Sequence, residues 1–279
     1  MRLDVLVSRA ASRLQDAGSP SARLDAEVLM CHVMEVDRTW LYTWGDRLAE
    51  PFQRARFEAL VAARASGQPV AYLTGEREFW GLGLATDAST LIPRPDTETL
   101  VAAAIERAAQ PHGRLLDLGT GSGAIALAFA SERPGWGVVG VDRAPAAVAL
   151  AQRNAERLAI TNVAFHESDW FAALAGERFQ MIVSNPPYIA EHDPHLTMGD
   201  VRFEPRSALV AADEGLADLC HLVSESRGHL AAGGWLLLEH GYQQAAAVRE
   251  ALHRAGFGEI SSITDLGGHE RVSVGRIAG

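Results

Sequence analysis

Two short segments of this chain carry the residue types that chemistry needs. Ser184-Asn185-Pro186-Pro187-Tyr188 directly follows an apolar run, Phe179 to Val183. Two consecutive prolines fix φ and remove two backbone donors, yet keep their carbonyl acceptors. Asn185 adds a side-chain carbonyl acceptor, and Tyr188 adds a flat ring that can pack on a planar group. A rigid pocket rich in acceptors suits a planar nitrogen bearing two N–H bonds, either a carboxamide or an exocyclic amine on a base. Holding both N–H groups would aim the nitrogen at an incoming methyl group. Its lone pair is delocalised, so catalysis would rest on positioning and polarisation, with no strong base. The plainer alternative is a turn that ends a strand.

The second segment is Asp117-Leu118-Gly119-Thr120-Gly121-Ser122-Gly123. Glycines in such a loop permit positive φ and close approach of backbone to a ligand. Gly119, Gly121 and Ala124 fit the dinucleotide pattern, and Asp142, about twenty residues on, is placed to hold ribose hydroxyls. Asp117 weighs against a pyrophosphate, because like charges repel. The same carboxylate suits the ammonium and sulfonium of S-adenosylmethionine. Three readings stay open on this loop alone: a methyltransferase, a dinucleotide enzyme, and a tight turn without a ligand.

Both segments need strands to end beside them. From Arg114 onward, strand-like and helix-like runs alternate. Leu115–Leu118, Gly137–Asp142, Val163–Phe165, Phe179–Ser184 and Trp235–Glu239 read as strands. Helices are expected over Thr99–Ala109, Ala124–Arg133 and Pro145–Leu158, and near 214–231 and 242–255. This alternation predicts an α/β fold, a doubly wound and mainly parallel Rossmann-like sheet whose ligands sit at the C-terminal strand ends. Residues 1–75 show only helical spacing and read as a small bundle. Ser21 is a candidate cap there, Trp40 and Trp44 are candidate core residues, and Phe52 is available for packing. Residues 76–93 read as a linker or hairpin, and 94–279 as the α/β domain. Asp96 or Thr97 is the expected cap of the next helix.

Composition narrows the classes further. Of the 279 residues, 48% are hydrophobic and 22% charged, which is globular. All 25 basic residues are arginine, against 35 acidic ones, for a net charge of −10. Lacking lysine, the chain has no P-loop or Schiff-base lysine. Net acidity disfavours general binding to duplex nucleic acid. Cys31 and Cys220 lie far apart, which excludes a disulfide framework and a cysteine zinc site. His192 and His195 flank Pro194 with no third ligand at motif spacing, so no metal is expected. The N-terminal segment has no signal-peptide core, and no apolar run is long enough for a bilayer. A soluble protein of a reducing compartment is expected.

The two segments together resemble class I S-adenosylmethionine-dependent methyltransferases acting on planar nitrogen. Further stretches are similar to the HemK/PrmC family of glutamine methyltransferases acting on peptide-chain release factors. These are Gly67–Leu73, Gly75–Trp80, Leu91–Glu98, Phe203–Arg206 and Asp265–Arg271. The resemblance implies a cytoplasmic enzyme that methylates the glutamine amide nitrogen of a Gly-Gly-Gln motif. It implies that Gly119, Thr120, Gly121, Ser122 and Gly123 hold the methionine part of S-adenosylmethionine and that Asp142 holds the ribose. Trp170 would lie by the cofactor, with Asp169 near the adenine. Asn185 would touch cofactor and substrate, and Pro186, Pro187 and Tyr188 would shape the substrate pocket, Asn185, Pro186 and Tyr188 acting in catalysis. It also implies a release factor as protein partner. The separate helical unit of residues 1–75, which holds no cofactor motif, is expected to grip that partner, and the short apolar runs and net acidity lead to an expectation of no membrane and no direct nucleic-acid contact. A sister family acting on a ribosomal-protein glutamine shares the catalytic motif, and adenine-amino methyltransferases of DNA or RNA share the pocket chemistry.

Overall fold

The computed structural model describes all 279 residues, and the chain packs as two compact units. One unit holds residues 1–76 together with 194–203; the other holds 77–193 and 204–279.

In the first unit, α1 (Leu3–Asp16), α2 (Ala22–Met34), α3 (Arg38–Thr43), α4 (Pro51–Ala65) and α5 (Val70–Thr74) enclose one apolar cluster. Leu3, Leu6, Leu14, Leu29, Met30 and Phe57 fill it, at the three-to-four-residue spacing that puts side chains on one helix face. Local chemistry sets the helix starts. The Asp37 carboxylate accepts from the Trp40 N–H at 2.6 Å to open α3, and Pro51 opens α4, where its missing donor costs nothing. Ser21 does precede α2, but its hydroxyl donates to Asp25 and caps no backbone group. Trp40 packs against the core, but Trp44 and Phe52 are exposed and lie outside it; Trp40 and Trp44 flank the Arg47 guanidinium. The segment 194–203 is held by its own ion pair and hydrogen bond. Arg64 contacts Asp200 at 2.6 Å and Asp25 at 2.8 Å, and Arg202 donates to the Ser66 carbonyl.

The second unit opens on a hairpin, β1 (Glu76–Phe79) and β2 (Leu82–Ala85), and then builds one seven-stranded sheet. After α6 (Glu98–Arg107) come β3 (Gly113–Leu118), α7 (Ala124–Glu132), β4 (Trp136–Asp142), α8 (Pro145–Arg157), β5 (Val163–Glu167) and β6 (Phe179–Ser184). There follow α9 (Ala212–Gly215), α10 (Ala217–Ser226), β7 (Leu230–Glu239), α11 (Ala245–Arg254), β8 (Gly258–Thr264) and β9 (Glu270–Arg276). The strand order is β5-β4-β3-β6-β7-β9-β8. The first five strands are parallel, and β9 joins antiparallel to β7 and β8. Strand alternation divides the core between the two faces. Leu115, Met181, Val183 and Leu237 pack with α6 and α7 on one side. Leu116, Ile182, Leu236 and Leu238 pack with α10 and α11 on the other. The sequence pattern predicts the five parallel strands. It does not predict β8 and β9, whose polar content hides them. No helix of the chain is long and apolar enough to cross a membrane.

Candidate active site

Chain direction along the sheet reverses between β3 and β6. From β3 the chain winds outward through β4 and β5, and from β6 through β7, so the loops after β3 and β6 part over a crevice. Both sequence segments lie there. The register pairs Leu118 with Ser184, and the Ser184 hydroxyl donates to the Leu118 carbonyl at 2.6 Å, fixing the two strand ends side by side. An open cavity lies above them, lined by residues of both segments.

The glycine loop forms one wall. Gly121 has φ +54°, and nothing stands close to its missing side chain except Thr90. Gly123 has φ +84° and is crowded by Ala151, Leu127 and Phe165, so it serves helix–sheet packing at the start of α7 and is not on the cavity wall. Gly119, Thr120, Gly121 and Ser122 do line the cavity. Asp142, at the end of β4, holds the loop in place. One carboxylate oxygen accepts from the Gly121 N–H at 3.0 Å and the other from the Ala144 N–H at 2.9 Å. Each oxygen keeps a further lone pair for a hydroxyl. The Gly121 N–H, which a pyrophosphate would need, is already committed.

Asp117 departs from the sequence reading. It is fully buried behind the loop, off the cavity wall, and accepts from the Thr120 hydroxyl at 2.6 Å. Burial pushes its carboxyl up to about 7 despite the Thr120 hydrogen bond. It therefore braces the loop from behind the cavity wall. The acidic wall comes instead from Asp142, Asp169 and Asp218. Burial raises the Asp218 carboxyl from its ordinary value against the pull of Arg143 and His221, with Asp169 adding to the rise. Trp170, held at φ +48° with its carbonyl accepting from the Ser168 hydroxyl, lays its ring against Gly119. With Leu91, Ile125 and Ala147 it makes the apolar part of the cavity.

Asn185 and Pro187 reach the cavity from the end of β6, whereas Pro186 is buried and Tyr188 points away from it. The half-buried Tyr188 hydroxyl lies 3.4 Å from Glu239 Oε1, and burial together with that carboxylate raises its pKa. Asn185 donates through Nδ2 to the Thr97 hydroxyl at 3.2 Å. Thr97 was an expected helix cap; its side chain caps nothing and serves Asn185 instead. Arg94, from the same Leu91–Glu98 stretch, lines the cavity and pairs with buried Glu204, which also accepts from the Ile92 N–H at 3.1 Å. Arg94 and Asp218 are wall residues that the sequence does not single out, and Thr97 is one that it names only as a cap. The match of Leu91–Glu98 and Phe203–Arg206 to one family was the available signal for Arg94 and Thr97.

Two family models match the chain: the PrmC N-terminal domain over residues 6–75 and the methyltransferase small domain over residues 96–204. A methyltransferase from Pyrococcus furiosus superposes with a TM-score of 0.55 at 17% identity, covering 80% of this chain and 98% of that one. The catalytic domain of hMettl16, solved with an RNA hairpin, gives 0.59 at 15% identity over 78% of this chain and 80% of that one. Sheet order, crevice and matched domain together define a methyltransferase of Rossmann-like fold. Relatives called release factor glutamine methyltransferase narrow the class. That of Escherichia coli K12 is 54% identical over 96% of each chain, and that of Vibrio cholerae is 53% identical over 98% of this chain and 96% of its own. The chain belongs to the release factor glutamine methyltransferase family.

Proposed function

We propose that this chain methylates the side-chain amide nitrogen of the Gly-Gly-Gln glutamine in peptide-chain release factors, in the cytoplasm, using S-adenosylmethionine. One observation carries the reading. Asn185 gives its amide N–H to Thr97, so its carbonyl oxygen is the end left for the cavity. An acceptor there fits a substrate that presents N–H bonds.

The cavity's donor set fits the cofactor. Asp142 retains lone pairs for a ribose, Asp169 and Asp218 favour a cation, and Trp170 offers a face for a purine. Gly119 to Ser122 would take the methionine part, with Gly123 shaping the turn behind them. Bound S-adenosylmethionine supplies an electrophilic methyl on sulfonium. The protein's own part is positional. Asn185 Oδ1 accepts one amide hydrogen, and the Pro186 carbonyl is assigned the other. These acceptors favour the positive charge that grows on nitrogen in the transition state. Pro187 and Tyr188 keep this turn rigid.

Residues 1–75 are assigned to gripping the protein substrate, 76–93 to the connection, and 94–279 to chemistry. Exposed Tyr42, Trp44, Leu48 and Phe52 give the helical unit an apolar surface suited to a protein partner. Phe52→Asp should raise KM for a release factor about ten-fold, the scale of one lost apolar anchor, while S-adenosylhomocysteine affinity stays unchanged. The decisive assay offers labelled S-adenosylmethionine with purified release factor, ribosomal protein and DNA in parallel. Label on the release-factor glutamine supports the reading. Label confined to ribosomal protein or to adenine replaces it.

A further inference from the structure

The turn that carries Asn185 is anchored at both ends, and the second anchor comes from a side chain outside the cavity. The first is the Ser184 hydroxyl on the Leu118 carbonyl. Pro186 and Pro187 have no N–H, so neither can tie the turn down by donating. The Tyr188–Ile189 peptide does that work. Its carbonyl accepts from Gln244 Nε2 at 3.0 Å, and its N–H, that of Ile189, donates to the Leu209 carbonyl at 2.9 Å. Because the peptide unit is planar, holding both of its edges fixes the backbone on either side of it.

Gln244 also ties in two other segments. It stands at the start of α11, and its Oε1 accepts from the Gly241 N–H at 2.9 Å, which closes the loop after β7. Its Nε2 lies 3.3 Å from the Glu214 carbonyl as well. An amide nitrogen has two protons, one for each carbonyl, so both donors are spent. Glu214 belongs to a turn of unusual backbone. Asp213 and Glu214 have φ +52° and +54°, a region that side chains rarely adopt, and Gly215 follows at φ +84°. Such conformations persist where the surroundings over-determine them. This turn comes up against the Asn185 segment, for a Cβ at Gly215 would stand 2.1 Å from the Tyr188 carbonyl oxygen. Gln244, Glu214 and Gly215 thus converge on one carbonyl, and none of them lines the cavity.

We infer that Gln244 is a positioning residue: its amide pins the Tyr188 carbonyl and so fixes where Asn185 and Pro187 stand in the cavity. The inference rests on the proposed function and deepens it. That chemistry uses no strong base, so its rate depends on holding the substrate nitrogen in line with the methyl group, and small displacements destroy such alignment. Two prolines stiffen the turn internally but leave its direction to whatever holds its ends. With the second anchor weakened, the turn can pivot about the first. Gln244→Glu keeps the shape and can still accept from Gly241. Its ionised carboxylate has no proton to give and would face two carbonyl oxygens, pushing the Tyr188 peptide away.

The test measures kcat and KM on a release factor with cofactor saturating, calorimetric binding of S-adenosylhomocysteine, and amide hydrogen exchange at Ile189. Gln244→Glu should lower kcat about ten-fold, within the roughly 10²-fold that an ångström of misplacement can cost. The Ile189 amide should exchange about ten-fold faster, as local opening becomes easier. Affinity for S-adenosylhomocysteine should stay within about two-fold, because Gln244 lies off the cavity wall. Gln244→Ala leaves room for water to donate in place of the amide and should cost only about three-fold in kcat. Lost packing would give the opposite order, since alanine removes more of the side chain. Wild-type kcat in Gln244→Glu, a larger fall in Gln244→Ala than in Gln244→Glu, or a kcat loss matched by lost S-adenosylhomocysteine affinity overturns this inference alone. Should Gln244→Glu not fold, unchanged Ile189 exchange in Gln244→Ala overturns it equally. A wild-type protein that binds S-adenosylhomocysteine but methylates no release factor overturns the proposed function and the inference with it.

Discussion

Two glutamates, one in each unit, are almost equally buried and are treated in opposite ways. Glu27 of the helical unit is 2% exposed. Its Oε1 accepts from Arg23 at 2.6 Å, and its Oε2 accepts from Arg38 at 2.8 Å and from the Tyr42 hydroxyl at 2.9 Å. Burial pushes its carboxyl up, but these three partners outweigh it and hold the group below its ordinary value. Glu239 of the sheet unit has an orphan oxygen, a long contact to Tyr188 and no direct guanidinium, and burial prevails. A buried charge that is fully paired serves the fold, whereas one kept half-paired retains a protonation equilibrium near neutrality. The same contrast extends outward. Polar groups around the crevice keep unused lone pairs, as Asp142 and Asn185 do, while Asp25 in the helical unit spends its carboxylate on Ser19, Ser21 and Arg64.

If the contrast is sound, substitutions at the half-used polar groups of the crevice should cost activity, and those at the fully paired buried charges of the helical unit should cost stability. Asn185→Ala is the harshest trial. It should reduce turnover on a release factor by about 10²-fold or more, the scale of one preorganised contact to developing charge. The assay needs saturating cofactor, and the melting temperature should hardly move. Near wild-type turnover would remove Asn185 from the mechanism. Asp142→Ala comes next. It removes the brace on Gly121 and the acceptor proposed for the ribose, and should weaken S-adenosylhomocysteine binding by about 1–3 kcal/mol, the range for stranded polar partners. Titration calorimetry reads it directly, and tight NAD binding in the wild type would overturn the cofactor assignment.

What the sequence could disclose follows the range of the forces involved. β3, β4, β6 and β7 read as apolar runs closed by turn residues, because a strand covered on both faces needs little else, and the short edge strand β5 shows only Val163-Ala164-Phe165. The segments ending at Ser184 and Leu118 are local in sequence, so the crevice and its glycine loop could be placed without coordinates. β8 and β9 escaped because Glu259, Ser261, Ser262 and Thr264 alternate weakly, and the buried polar partner of this pair, Ser273, bonds His240 and Ser262. The sequence points Asp117 at a ligand and the structure turns it behind the loop, because position in a motif does not tell which way a strand turns a side chain. The Thr97 and Glu239 contacts to Asn185 and Tyr188 join segments far apart in the chain, and no local pattern announces them.

Glu27→Gln sharpens the helical side of the comparison. The amide keeps the shape but gives up the charge, and Arg23 and Arg38, both about half exposed, can turn to water. The loss should therefore be about 1–2 kcal/mol, below that of stranding a buried cation. Thermal unfolding measures it, and kcat of the folded protein should stay at the wild-type level. A larger fall in kcat than in stability would mean that the two units do not divide their tasks this way.

The smallest effect is the one most specific to the contrast, because it uses pH alone. A carboxyl held below its ordinary value, as Glu27 is, adds stability that is complete above about 4.5 and is lost only as pH falls through its folded value. Between pH 6 and 8 it contributes no slope. A carboxyl raised to about 7, as Glu239 is, behaves oppositely: its stability term is complete below 4.5 and is lost as pH rises through about 7. Moving from pH 8 to pH 6 should therefore stabilise the wild type by about 1 kcal/mol through Glu239, by linkage. Asp117, also raised to about 7, adds a similar term, and His240, whose pKa burial lowers, opposes both as pH falls. Subtracting the Glu239→Gln protein at each pH cancels the terms from Asp117 and His240 and leaves that of Glu239. Glu27→Gln treated in the same way should give a flat difference over this range. Denaturant unfolding at pH 6, 7 and 8 on the three proteins decides it, and a flat Glu239→Gln difference would place Glu239 among the fully paired structural charges.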